Sequence, residues 1–239
     1  MRPRFVDIHH HLAYGVDDGA RNRRHMYRML DCAASQGIHA IIATSHITPG
    51  VRRFDMEGYR RALREAREYC EASGYDMTIY EGCEILYTRQ TCRLLQEGEI
   101  PTLAGTDFVL VEFSPDIRFA KLREALQDLI SAGYRPVVAH VERYNCLTLR
   151  LGRTARLKDE LNVYFQMNCS TLLKDKGYRL HRFCQWMLEH DLVDALGTDA
   201  HNTSSRRAKM KAAWKYLKWE YGSSYAEQLT TAAFIFEDN

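Results

Sequence analysis

The sequence has no apolar run of about 18 residues, the length a membrane-spanning helix needs. Its first residues lack the apolar core of a secretory signal, because Asp7 and the histidines at 9–11 interrupt it. Its seven cysteines, an odd number, form no C-x-x-C pair, which argues against a disulfide framework and against a cysteine–zinc knuckle. These absences predict a cytoplasmic protein with no direct membrane insertion. Position 152 is Gly, so Cys146 heads no Cys-x5-Arg loop, and a cysteine nucleophile is not expected. Charge of one sign is also missing: 33 basic and 31 acidic residues leave a net charge of +2. That balance gives no global drive toward nucleic acid, and no nucleic-acid partner is expected. RNRRHMYR at 21–28 is a local exception and reads as a solvated helix face. No G-x-G-x-x-G marks a dinucleotide site. No Gly/Ser/Pro-rich linker divides the chain, so residues 1–239 are expected to form a single domain.

What is present is a regular alternation. Strand-like runs recur as FVDIHHH (5–11), AIIATSH (40–46), MTIYEGCEI (77–85), FVLVEFS (108–114), PVVAHVE (136–142), VYFQMNC (163–169) and VDALGTD (193–199). Helix-like segments lie between them. Those at 21–36, 56–73 and 118–132 end at Gly37, Gly74 and Gly133, as helices commonly do. Alternating strands and helices predict a parallel α/β fold, and seven strands suit a closed or distorted barrel better than an open sheet.

The polar residues fall on the strand ends. Side chains alternate along a strand, so Asp7, His9 and His11 are expected to share one face and His10 the other. His9 and His11 could then reach one cation. Three histidines inside a strand pattern are too few for a purification tag. The next runs end in His46, Glu84, Glu112 and His140, and the last in Asp199, with His201 beyond. Buried carboxylates and imidazoles are costly unless paired or metal-bound, and C-terminal strand ends converge in parallel barrels. A multinuclear metal centre follows. The histidine-rich donor set suits Mn, Fe or Zn rather than Mg or Ca alone.

DIHHH, VDDG, TSH, GCEI, LVEFS, VVAHVERY and GTDAHN, taken in order, resemble the polymerase and histidinol phosphatase (PHP) superfamily. More narrowly they resemble its bacterial manganese-dependent protein-tyrosine phosphatases of capsule and exopolysaccharide operons. The resemblance covers residues 5–235 and implies a distorted seven-stranded (β/α) barrel. It also implies a ligand set. His9 and His11 with Glu84 and Asp199 would hold one metal, and Asp18, His46 and His201 a second. Glu84, bridging, with Glu112 and His140 would hold a third. Asp18 rather than Asp17 matches the family position, because it precedes the glycine. The implied cofactor is Mn2+, three divalent ions, with Fe or Zn as alternatives.

Asp18, Glu84, Glu112 and Asp199 carry four negative charges, so three divalent ions would leave about +2 for a phosphomonoester dianion. A metal-activated hydroxide is the expected nucleophile. Arg143 and Arg206 match arginines that such relatives use against phosphate, and guanidinium suits that role; Arg207 could replace Arg206. Asp199 is a further catalytic candidate, as acid for the leaving phenolate, although a metal-bound aspartate is a poor proton donor. The implied partner is a phosphotyrosyl protein, a membrane-associated bacterial tyrosine kinase; self-association is left open.

Asp7 is expected to orient a ligand histidine, and Asn168 to hydrogen-bond near the site. His10, His25, His39, His181 and His190 are expected at the surface or in packing. Trp214, Leu217 and Tyr221 should pack on the barrel, and residues 44–59 should form a long loop over the site. Three other readings compete. One is a PHP phosphatase for a small ester such as histidinol phosphate. One is an amidohydrolase, which usually places a bridging lysine on a central strand end that is not seen here. The last is a non-catalytic metal-binding regulator.

Overall fold

The computed structural model describes residues 4–51, 53–173 and 178–237. Seven parallel strands follow one another around the sheet in chain order: β1 (Phe5–His10), β2 (Ile38–Ile47), β3 (Thr78–Leu86), β4 (Phe108–Glu112), β5 (Arg135–Val138), β6 (Tyr164–Asn168) and β7 (Ala195–Gly197). The ring closes just past β7, where the Asp199 N–H donates to the His9 carbonyl (2.8 Å) and the His11 N–H to the Ala200 carbonyl (3.0 Å). This is the distorted seven-stranded barrel expected from the sequence.

Ten helices connect or cover the strands among the described residues: α1 (Arg23–Gln36), α2 (Met56–Ala72), α3 (Thr91–Gln96), α4 (Phe119–Ser131), α5 (Asn145–Thr148), α6 (Gly152–Leu161), α7 (Cys169–Leu172), α8 (Tyr178–Glu189), α9 (Met210–Tyr221) and α10 (Ser223–Thr231). α1 starts on Asn22, whose side chain accepts from the His25 N–H, and stops at Gly37 in the left-handed conformation. α2 is the longest. The buried Tyr59 hydroxyl lies 2.8 Å from the carbonyls of Ala43 and Gly82 and accepts from the Gly82 N–H, tying α2 to β2 and β3. Tyr59→Phe should lower stability by about 1–2 kcal/mol, seen as a reduced melting temperature, because it strands buried backbone groups.

The barrel interior is a distinct apolar cluster. It contains Val6 and Ile8, Ala40 and Ile42, Phe108 and Leu110, Val137 and Ala139, and Ala195, plugged by Ala232 and Ile235. A larger cluster joins the outward residues, such as Ile41, Ile79 and Val109, to helix residues including Leu30, Leu63 and Leu126. Strands covered on both faces read as continuous apolar runs, as the sequence showed. Trp214 and Tyr221 pack against the larger cluster, to which the buried Leu217 belongs, and the Trp214 ring lies tilted against Phe5 at 5.9 Å.

Three expectations need correction. Val6 and Ile8 belong to the inner cluster, so strict alternation would send His10 inward rather than His9 and His11. The register shifts between Asp7 and His10, and this irregularity restores the two ligand candidates to the inner face. β5 and β7 end at Val138 and Gly197, before His140 and Asp199. Both of these residues take left-handed backbone, at φ 34° and 50°. Such conformations are uncommon outside glycine and cluster at functional sites. The predicted 44–59 loop is also shorter: β2 extends to Ile47 and α2 begins at Met56. Arg52 in that loop lies outside the described residues.

Candidate metal centre

The inner-face parity that puts Ala40 and Ile42 in the barrel core carries on to His46 at the end of β2. The same parity carries β3 to Glu84, beyond Tyr80 and Gly82, and β4 to Glu112, beyond Phe108 and Leu110. Apolar side chains fill the lower barrel, and these polar ones finish it at the C-terminal end.

Glu84 is at the centre. Its Oε2 lies 3.1 Å from His9 Nε2, 3.2 Å from His11 Nε2 and 3.1 Å from His46 Nδ1. That oxygen is buried and makes no hydrogen bond. Its other oxygen is 2.7 Å from His140 Nε2. Glu112 reaches His46 Nδ1 at 3.1 Å and His140 Nε2 at 3.6 Å. Asp199 Oδ1 lies 3.6, 3.5 and 3.5 Å from His9, His11 and His201. On the outer side, Asp18 Oδ1 is 3.2 Å from His201 Nε2 and 3.5 Å from His46 Nε2. All nine expected ligands therefore meet in one cluster.

Three sets have donor atoms close enough to share an ion: His11 with Asp18, His46 and His201; His9 with His11 and Glu84; and His46 with Glu84 and Glu112. His11 packs against His201 with ring centroids 3.7 Å apart and the rings tilted by 33°, and it belongs to both of the first two sets. His46 presents one ring nitrogen to each of the outer two.

The residues fit divalent cations. A ligating histidine usually donates its second ring N–H to a neighbour, which fixes the tautomer. His9 Nδ1 faces Gln166 Oε1 at 2.9 Å, His11 Nδ1 faces Asp17 Oδ2 at 2.9 Å, and His201 Nδ1 faces the Asp199 carbonyl at 3.0 Å. Each leaves Nε2 directed at the carboxylates. Burial opposes ionisation of Glu84 and Asp199. The surrounding imidazoles, and Arg143 in the case of Asp199, nevertheless hold both well below the usual carboxylate range. His140 shows the converse: burial works against its charged form, yet Glu112 and Glu84 push it up to about 9. Carboxylates held ionised against proton-loving imidazoles are a set from which a divalent cation displaces protons.

Asp17 has its own task. It accepts from His11 and from the N–H groups of Gly19 and His46, and its side chain is buried while that of Asp18 is 62% exposed. A Cβ on Gly19 would sit 2.3 Å from the His11 carbonyl, so this turn closes on β1 only with glycine there.

Asp7 does not reach an imidazole. It accepts from the Thr198 N–H and hydroxyl and from the His9 N–H, and burial pushes it up to about 6. It therefore orients backbone at the β1–β7 closure. His10 is buried in packing, one of the two places expected for it, and its backbone N–H donates to Thr44 Oγ1.

Gln166 was missed from sequence. Its Oε1 faces His9 Nδ1 and accepts from the His140 N–H (2.8 Å), while its amide donates to Asn168 Oδ1 (2.9 Å). Asn168 in turn donates to Asp199 Oδ2 (2.9 Å). One buried chain thus links three ligand candidates. The signal was present in VYFQMNC: two amides two residues apart share a strand face. Gln166→Ala should weaken divalent-metal affinity by about 10- to 100-fold, measured by competition with a chelating dye.

Two arginines form the rim. Arg143 donates to Asp199 Oδ2, and Arg206 Nη2 to Asp199 Oδ1 at 2.9 Å; Arg206 Nη1 also lies 3.5 Å from Asp18. The 201–206 turn folds back on itself through His201 N–H to the Arg206 carbonyl, which brings Arg206 rather than Arg207 to the site. Arg207 lies on the α1 side, near Cys32. A cavity of about 400 Å3 opens beside Asp18 and His46, walled by Thr48, Arg53 and Phe54.

Residues 5–234 match the family described as capsular polysaccharide synthesis, CpsB/CapC. The chain belongs to this family. It is 31% identical over 229 residues to the tyrosine-protein phosphatase CpsB of Streptococcus pneumoniae, covering 94% of each chain. It is 28% identical over 234 residues to the tyrosine-protein phosphatase YwqE of Bacillus subtilis, covering 98% of this chain and 92% of that one. Among solved structures, it superposes with a TM-score of 0.88 on a crystal structure from work on YwqE and CpsB, described there as unique metal-dependent tyrosine phosphatases. Identity in that match is 27%, covering 98% of this chain and 95% of the other. The histidinol phosphate phosphatase of Lactococcus lactis, solved with zinc, L-histidinol and phosphate, matches at a TM-score of 0.57 and 12% identity, with 94% of each chain covered. That second likeness speaks to the fold alone. Among the described residues, no helix is long and apolar enough to cross a membrane.

Proposed function

We propose that this chain is a metal-dependent protein-tyrosine phosphatase. Its substrate is a phosphotyrosyl protein of capsule or exopolysaccharide synthesis, a membrane-associated tyrosine kinase, met in the cytoplasm. The observation that carries this reading is the buried Glu84 carboxylate facing four imidazoles, with two arginines paired to the adjoining Asp199. His9, His11, Asp18, His46, Glu84, Glu112, His140, Asp199 and His201 would hold the ions, three Mn2+ in this reading, and the whole chain acts as one domain. Bound divalent ions supply charge neutralisation for phosphate and a bound water of lowered pKa.

The chain's own residues do the rest. Arg143 and Arg206 are each about 40% exposed, and both pair with Asp199. Each guanidinium carries five N–H donors, so donors beyond those spent on Asp199 can take phosphate oxygens. Asp199 fixes both arginines in place. Paired with two guanidinium groups, it is a poor proton donor, and this reading gives it a positioning role rather than that of an acid. A phenolate leaves readily without one. Gln166, Asn168 and Asp17 keep the imidazoles oriented.

The test compares protein stripped by chelator and reloaded with Mn2+, offered a phosphotyrosine peptide or histidinol phosphate at equal concentration. Phosphate release should favour the peptide and vanish on chelation. Preference for histidinol phosphate would move the chain to small-ester hydrolysis.

A further inference from the structure

A second cavity, of about 560 Å3, adjoins the metal centre on the α1 side. Asp18 and His201 form its inner wall, and Arg21, Arg24 and Arg28 its outer one. His201 is 2% exposed, and its Nε2 makes no hydrogen bond. The three arginines come from the basic run, and all three are exposed, as expected of a solvated helix face. Among the described residues, none of the three pairs with an acidic group, although Arg23 beside them lies 3.9 Å from Glu65.

The placement works against the helix. Arg24 lies at the positive end of the 14-residue α1, whose first turn holds no acidic residue. Arg24 and Arg28 are four apart, so like charges face each other on one side of the helix. Both features destabilise the helix modestly, and among the described residues no acidic side chain pairs with Arg24 or Arg28 to offset them. An anion in the cavity would relieve both at once. Because the cavity shares Asp18 and His201 with the metal centre, such an anion would belong to the molecule whose phosphate is being cleaved.

We infer that the Arg21–Arg24–Arg28 cavity is a second anion subsite that binds an acidic group on the substrate polypeptide near the phosphotyrosine. The inference rests on the phosphatase reading for the identity of that polypeptide. The shared chemistry is an anion flanking the reacting residue, and it can come from a carboxylate or from a second phosphate.

Three phosphotyrosine peptides of equal length separate the sources: one with neutral flanks, one with glutamates, one with a second phosphotyrosine. For the Mn2+-loaded protein, KM should be lower for either anionic peptide than for the neutral one. Whichever peptide gains more names the source. The double variant R24Q/R28Q should raise KM for the anionic peptides by about 2- to 30-fold, from two partly exposed ion pairs. Its kcat/KM for p-nitrophenyl phosphate, which has no flanks, should not change. The fold should survive, since the variant removes a like-charge pair. Raised salt should erase the preference. Equal KM for all three peptides would overturn the subsite, as would a loss shared by p-nitrophenyl phosphate. Inhibition by phosphatidylglycerol vesicles, with no dependence on peptide charge, would also overturn it by giving the arginines to a lipid surface.

Binding of the same peptides, read by fluorescence anisotropy, keeps the two ideas apart. A charge preference in binding that R24Q/R28Q abolishes, without turnover of any phosphotyrosine substrate, would sink the phosphatase reading and keep the subsite. Turnover with no charge preference in binding would do the reverse.

Discussion

Glu84→Gln will strip the centre of its metal and lower phosphotyrosine hydrolysis by about a thousandfold or more. The carboxylate is the hub: one oxygen faces His9, His11 and His46, and the other faces His140. Glutamine keeps the size but replaces one acceptor oxygen with an N–H2 donor and removes the negative charge. The amide would then point protons at imidazole nitrogens needed as lone-pair donors. Metal activation of phosphoryl transfer is worth several kcal/mol, and each 1.36 kcal/mol is about tenfold in rate. Elemental analysis of the purified variant, paired with phosphate release, checks both parts. A variant that retains full metal and turnover would remove Glu84 from the centre.

Arg143→Ala should behave differently. It should keep metal content within error of the parent and lose about 10^2- to 10^3-fold in turnover, the usual effect of deleting one fixed donor to a developing oxyanion. Arg143 touches only the outer oxygen of Asp199, the one that also accepts from Asn168, while Oδ1 is the oxygen turned toward His9, His11 and His201. Phosphate should also inhibit the variant more weakly. The contrast between the two variants separates residues that hold the ions from residues that hold the phosphate. If Arg143→Ala lost metal as completely as Glu84→Gln, the two roles would not be distinct.

The barrel was legible because its strands are buried on both faces and read as seven apolar runs. The ends of those runs were legible for the same reason: a His, Asp or Glu that interrupts a buried run must have a partner. What failed to show was local backbone geometry. The shift between Asp7 and His10 reverses the face that each residue takes, and no periodicity marks a single irregularity in six residues. His140 and Asp199 bend into left-handed conformations that are uncommon outside glycine, so the sequence read them as strand. Gln166 was hidden by its neighbours: it sits among Tyr164, Phe165 and Met167 and looks like a tolerated amide until its contacts are known. The sharing of His11 and His46 between donor sets is a property of three-dimensional spacing, which a motif cannot carry. The pair Asp17 and Asp18 shows the limit from the other side. The motif distinguished them by position, whereas their chemistry differs because one is buried under His11 and the other stands in the opening.

These nine side chains are expected to hold divalent ions that make phosphotyrosine hydrolysis possible. The most direct measurement is phosphate release from a phosphotyrosine peptide by chelator-stripped protein as Mn2+ is added back stepwise. The stripped protein should release none, and the rate should climb until more than one equivalent per chain is bound. Release that is already complete in the stripped protein, or absent at every level of metal, would contradict this expectation.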